Sequence, residues 1–274
     1  MKQQDITGKW ALVTGAGSGM GRTTSLELAR AGANLILVDI CGEAVGSVAK
    51  EAEALGAEVH TYCSDLTDWD QVKGMADTIN ARWGAVDILI NNAGIAHMSY
   101  LVDTTFEDWK KLWDINVWTV IYMVRAFAPA MMKKKSGQIV NVSSGQAFFP
   151  VPTWGAYAVS KFAVDGYSEA LRYELYWSGI GVSCVYPGIV RTPFYDSITG
   201  GLMVRLGMKF LMATAMKPEA MSKLTVKGIR KNKKMIIPAI MWPVYILKPI
   251  CPWPFEIAGR IVAFALRKER RLGV

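Results

Sequence analysis

The sequence predicts a doubly wound parallel α/β sheet in a single domain, and three observations predict it. Apolar runs of five or six residues alternate with stretches of helical composition as far as residue 195. The first run stops at a glycine-rich turn, TGAGSGMG at residues 14–21, and a helix-like stretch follows at once. Small and polar residues close the later runs at what would be their carboxyl ends, where open α/β sheets bind ligands.

A chain of 274 residues is long enough to bury a substantial core, and 51% hydrophobic against 20% charged residues excludes disorder. The opening MKQQDITGKW lacks the apolar centre of a signal peptide, so a cytoplasmic protein is expected. Cys41, Cys63, Cys184 and Cys251 have no metal-ligand spacing, which predicts free thiols and no metal. The net charge of +8 is uneven: residues 217–274 carry thirteen Lys/Arg against three acids, net +10, and residues 1–216 carry eighteen against twenty, net −2. No nucleic-acid reader motif accompanies the basic segment, so nucleic acid is not an expected partner.

Taken in order, residues 9–14 form the first strand and the turn after them suits a dinucleotide. Glycines let the backbone approach a pyrophosphate, and the following helix offers N–H donors, so Gly15, Ser18, Gly19, Met20 and Gly21 are candidate contacts. The second strand, 33–38, ends at Asp39, eighteen residues after Gly21. An acid there accepts hydrogen bonds from ribose hydroxyls and repels a 2′-phosphate, which predicts NAD over NADP. Arg22 is the one cation nearby.

The third strand, 58–62, leads to Asp65 and Leu66, where Asp65 either reaches an adenine ring or caps the helix beginning near Asp68. The fourth, 86–90, closes with Asn91, Asn92, Ala93 and Gly94, small residues suited to lying against a cofactor. Residues 106–132 have the spacing of long helices and contain Asn116, a structural hydrogen-bonder or part of a proton path. The fifth strand, 138–142, delivers Ser143 and Ser144, and the sixth, 181–186, ends at Pro187 and Gly188. Tyr157 and Lys161 stand four residues apart, one face of a helix, so the ammonium can favour ionisation of the phenol, whose unperturbed pKa is about 10.

With TGAGSGMG, NNAG, Asn116, Ser144, YAVSK and PGIVRTP in that order, the chain resembles the short-chain dehydrogenase/reductase family over residues 6–195. The resemblance implies a Rossmann-type sheet and a nicotinamide cofactor. It implies Tyr157 as general acid/base, Lys161 as the residue that lowers its pKa and holds the nicotinamide ribose, and Ser144 as the hydroxyl orienting the substrate oxygen. Asn116 would hold a proton relay, Asp65 the adenine, Asn91 a strand-end contact, and Thr192 the carboxamide, with Pro187, Gly188 and Val190 beside the nicotinamide. A homodimer or homotetramer built through the helices of Asn116 and Tyr157 is also implied.

Three parts are therefore expected: a catalytic core over 1–195, a methionine-rich segment over 196–216 covering the substrate, and a basic, apolar extension of the same domain over 217–274. Met98, Phe149 and Trp154, with Tyr100, Phe148 and Val151, are candidate walls of a pocket for a lipophilic secondary alcohol or ketone such as a steroid, retinoid or long-chain compound. Reduction of a 3-oxoacyl thioester, and non-catalytic NAD binding, are the competing readings. In the extension, tryptophans, aliphatics and basic clusters predict peripheral membrane contact or burial against a second subunit. Its thirteen-residue apolar run is shorter than the ~20 residues of a spanning helix.

Overall fold

All six apolar runs become strands within two residues of their expected bounds: β1 Trp10–Thr14, β2 Asn34–Asp39, β3 Val59–Cys63, β4 Ile88–Asn91, β5 Gly137–Val142 and β6 Ile180–Val185. A seventh, β7 Met235–Ile236, comes from the basic extension. The helices are α1 Gly19–Arg30, α2 Gly42–Glu53, α3 Trp69–Trp83, α4 Phe106–Trp113, α5 Thr119–Lys134, α6 Gly155–Glu174, α7 Leu202–Thr214, α8 Pro218–Arg230, α9 Trp242–Ile250 and α10 Trp253–Arg271. This computed structural model describes residues 4–196, 198 and 202–271; Gly200 and Gly201, in the segment expected to cover the substrate, lie outside them.

The strands pair in parallel in the order β3-β2-β1-β4-β5-β6-β7. The chain reverses its direction of travel across the sheet between β1 and β4, and that switch point opens a crevice at the strand ends. Successive side chains of a strand face opposite ways, so Ala11 and Val13 of β1 pack beneath α1, α2 and α8 while Leu12 packs beneath α3, α5 and α6. Both faces are covered, which is why the strands read as unbroken apolar runs.

The extension is woven into this core. α8 lies against α1, where the Ser222 hydroxyl bonds those of Thr23 and Thr24 at 2.7 and 3.0 Å, and β7 pairs with β6. One helical stretch among the described residues, 106–134, is long and apolar enough to cross a membrane, but half of its apolar window is buried on the sheet. It is α4 and α5 joined through a π-helical turn, Asp114–Trp118.

Asp87 fastens the start of β4. It accepts from the Trp10 amide at 3.0 Å, and the Lys134 and Lys9 ammonium groups lie 2.8 and 3.4 Å away. Burial pushes its carboxyl up, yet Lys134, the Trp10 amide and Lys9 together hold it below the ordinary 3.8. A depressed carboxyl stabilises the fold above its unfolded pKa and loses that contribution as pH falls through the folded value. Asp87→Asn should therefore cost about 1–3 kcal/mol in neutral denaturant melts. The gap to the parent chain should close as the pH is lowered below 3.8.

Candidate active site

The turn after β1 is built for close approach. A Cβ at Gly21 would sit 1.9 Å from the Gly15 carbonyl oxygen, and one at Gly15, where φ is +61°, would sit 2.9 Å from Ala93 Cα. Only glycines let α1 press onto the strand end while the turn passes under the β4 loop. Thr14 and Asn92 lock this junction: the Thr14 hydroxyl accepts from the amides of Asn92 and Ala93, and the Asn92 amide nitrogen donates to the Thr14 carbonyl at 3.0 Å. Ser18 occupies the N-cap of α1 but its side chain caps no amide, which leaves the helix start to an anion.

Along the same crevice, Asp39 accepts from the amides of Gly17 at 2.8 Å and Cys41 at 3.0 Å. Arg22, the one cation near it in sequence, is engaged elsewhere: its Nε lies 3.0 Å from Glu51 Oε1 and its Nη2 bonds the other oxygen. Asp65 stands in the crevice wall and ties Thr67 at 2.9 and 2.7 Å. The cap of α3 is supplied by Asp68, which settles the two readings of Asp65 against capping. Leu66 lies beside it.

The other half of the site hangs on α6. Lys161 is 4% exposed, and its Nζ donates to the Val142 carbonyl at 3.0 Å. The two serines after β5 divide the work: the Ser143 hydroxyl donates to the Lys161 carbonyl at 2.8 Å, clamping α6 to the strand, while the Ser144 hydroxyl, which accepts from the Gln146 amide at 3.1 Å, stands in the cleft beside the Tyr157 phenol. Burial raises the phenol above its ordinary range, Tyr195 adds to the rise, and Ser144 partly offsets both. The Lys161 ammonium is aimed at the Val142 carbonyl, 5.8 Å from the phenol ring centroid, and desolvation is the largest influence on the phenol. Burial also draws Lys161 down to about 8, with Cys184 opposing.

Asn116 sits in the π turn, fully buried. It spans the backbone of Ile95, accepting at 2.8 Å and donating at 3.1 Å, and donates to the Ser160 hydroxyl at 3.0 Å. It thus joins the β4 loop to α6, and the Gly94 backbone between them leaves little room for a Cβ, which would meet Asn116 Oδ1 at 3.0 Å and Lys161 Nζ at 3.4 Å. A π turn at such a point is a frequent companion of functional sites.

These parts line one cleft of about 1360 Å³. Gly15, Ser18, Gly19, Met20, Asp39, Asn92, Ala93 and Gly94 line one end, and Pro187, Gly188, Val190 and Thr192 line its middle, Thr192 against the Gly19 position. At the other end are Ser144, Tyr157, Met98, Phe149, Val151 and Trp154. Asn91 is a correction: its side chain points away, into the sheet, where it donates to Asn141 Oδ1 at 2.8 Å. Alternation along a strand makes Asn91 a core residue and leaves Asn92 for the cleft. Phe148 also turns away, packing on Tyr186 and Tyr245, and Tyr100 is not among the lining residues.

Sequence reasoning did not single out Phe194 and Tyr195, whose rings pack around Tyr157 and Trp154, and it missed the contribution of the extension through Met241, Val262 and Leu266. Their only signal was apolarity. The glycine cradle, the uncapped helix start and Asp39 fit a nicotinamide dinucleotide: Gly15, Gly19 and Gly21 would admit its diphosphate, Asp39 its ribose, and Lys161 the hydroxyls near the nicotinamide.

Residues 9–201 match the family described as short chain dehydrogenase. The chain belongs to that family. This short-chain dehydrogenase is 37% identical over 193 residues to 3-oxoacyl-[acyl-carrier-protein] reductase FabG of Thermotoga maritima, covering 70% of this chain and 78% of that one. It is 33% identical over 258 residues to human estradiol 17-beta-dehydrogenase 11, covering 93% and 83%. Among solved structures it resembles a short chain dehydrogenase/reductase from Burkholderia phymatum in complex with NAD, with TM-score 0.81, 28% identity and coverage of 89% and 92%. A metagenomic short-chain oxidoreductase in complex with NADP matches with TM-score 0.72, 27% identity and coverage of 86% and 98%. The chain is thus an oxidoreductase with a nicotinamide-binding sheet.

Gly21→Ala tests the cradle. Isothermal titration should show nicotinamide-dinucleotide affinity reduced by about tenfold or more, equal to about 1.4 kcal/mol, because the methyl group forces α1 off the Gly15 carbonyl.

Proposed function

We propose that this dehydrogenase uses NAD to interconvert a secondary alcohol and a ketone on a lipophilic skeleton, with Tyr157 as the general acid/base. The observation that carries the reading is the position of the Ser144–Tyr157 pair, where the dinucleotide end of the cleft meets an end walled by Met98, Phe149, Trp154, Phe194 and Met208. Apolar walls around two converging hydroxyls suit a bulky substrate bearing one polar group. The similarity to an estradiol dehydrogenase supports a polycyclic skeleton.

When bound, NAD accepts or returns the hydride. In oxidation, the Tyr157 oxygen takes the substrate hydroxyl proton as hydride leaves the same carbon, and Ser144 donates to the developing oxyanion. In reduction, the Tyr157 hydroxyl gives that proton to the new alcohol oxygen. Lys161 holds positive charge behind the phenol and stabilises the phenolate form. NAD is favoured over NADP because Asp39 would repel a 2′-phosphate and Arg22, bound to Glu51, offers it no partner.

The likeness to a 3-oxoacyl thioester reductase supports a second reading, reduction of that substrate class. Following NADH and NADPH absorbance with hydrophobic secondary alcohols and a 3-oxoacyl thioester separates the two. The first reading predicts turnover of the alcohols with NAD and none of the thioester with NADPH, and the reverse pattern would overturn it. Tyr157→Phe should fold and bind NAD with parental affinity while losing about 10²–10⁴-fold in kcat. For ketone reduction, the raised phenol stays protonated while Lys161 loses its charge, so kcat/KM should be level at lower pH and fall above about 8. A profile level through that value would show that the lysine charge is not needed.

A further inference from the structure

Helices α9 and α10 turn their apolar sides outward. In α9, Trp242, Ile246, Leu247 and Ile250 are exposed, whereas Tyr245 packs on Phe148 and Lys248 Nζ donates to the Phe148 carbonyl at 2.6 Å. In α10, Trp253, Ile257, Ile261 and Phe264 fall at i, i+4, i+8 and i+11, a single stripe, and are 62, 48, 63 and 60% exposed. The opposite side of α10 faces the enzyme: Phe255 meets Phe149 with ring centroids 5.6 Å apart, and Val262 and Leu266 line the cleft. A helix at a water-facing surface has the reverse arrangement, and a contiguous apolar patch of this kind marks a contact surface.

The chemistry of the surroundings selects the partner. Arg260 is exposed within the stripe, its guanidinium 3.8 Å from Glu256, and the Arg267 guanidinium lies 3.8 Å from the Phe264 ring centroid. Residues 242–271, which form α9 and α10, carry six Lys/Arg against two acids, net +4. Pairing with a second copy through this face would set the same cationic segment against itself. A surface that is both apolar and anionic has no such conflict.

We infer that α9 and α10 dock on an anionic lipid bilayer, lying in its interface with Trp242, Trp253, Ile261 and Phe264 inserted. The charges at Glu256 and Arg260 within α10 fit a helix lying flat and not one that spans. Because Val262 and Leu266 form the roof of the cleft, docking sets that roof against the acyl layer. On the proposed activity, the substrate is then an alcohol or ketone dissolved in the bilayer; the docking itself does not rest on that activity.

Flotation of the full chain with phosphatidylcholine vesicles, and with vesicles also containing phosphatidylglycerol, tests the inference. The parent chain should float with the anionic vesicles at least about tenfold more than with the neutral ones, and less at high salt. The double variant Ile261→Glu, Phe264→Glu should stay at the bottom while keeping the parental melting temperature and turnover of a water-soluble alcohol. Flotation without any alcohol turnover would uphold the docking and remove only the activity reading. Failure of the parent chain to float with anionic vesicles overturns the docking whatever its turnover. A double variant that floats unchanged does so too, and one that instead converts a dimer to a monomer in size-exclusion chromatography assigns the face to a second copy.

Discussion

The contact between the Lys161 ammonium and the Val142 carbonyl, 3.0 Å long in a side chain only 4% exposed, joins the helix of the proton-transfer groups to the sheet that carries the cofactor cradle. A buried amine needs such a partner, and a strand carbonyl at the sheet's carboxyl edge supplies one. Ser143 reinforces it by binding the Lys161 carbonyl, and Asn116 binds α6 at the adjacent Ser160 while gripping both backbone groups of Ile95. Three elements, β5, α6 and the β4 loop, are thereby fixed together with Tyr157 and Ser144 at their junction. Rigid placement of this kind is what positioned proton transfer requires.

Burial gives this arrangement its electrostatic character. It raises the Tyr157 phenol and lowers the Lys161 ammonium, so each group is pushed towards its neutral form. The lysine needs little persuasion to share or lose its proton near neutrality, and the phenol holds its own. Tyr157 is thus a competent acid as it stands, and its service as a base depends on positive charge nearby.

Much of this was legible in the sequence because it is carried by local chemistry. The TGAGSGMG turn declares itself through glycines that no other residue can replace, as the 1.9 Å clearance at Gly21 makes plain. Tyr157 and Lys161 declare themselves through helical spacing. What escaped depends on contacts distant in sequence or on parity. Two residues are too few for β7 to show a period, so its place beside β6 could not be read. Asn91 and Asn92 differ only in which side of a strand they face. The direction of the phenol's shift depends on its burial by Trp154, Phe194 and Tyr195, which come from two separate segments, one before α6 and one after β6. The roof over the cleft comes from α10, about a hundred residues after Tyr157 in the chain, and apolarity alone gave no hint of which face of that helix turns inward.

The most direct test of the account is a crystal structure of the chain with NAD and a bulky secondary alcohol. The account predicts the diphosphate at the amino end of α1, and the alcohol oxygen within about 3.2 Å of both the Tyr157 and Ser144 hydroxyl oxygens. A diphosphate bound elsewhere, or an alcohol whose oxygen meets neither hydroxyl, would contradict it.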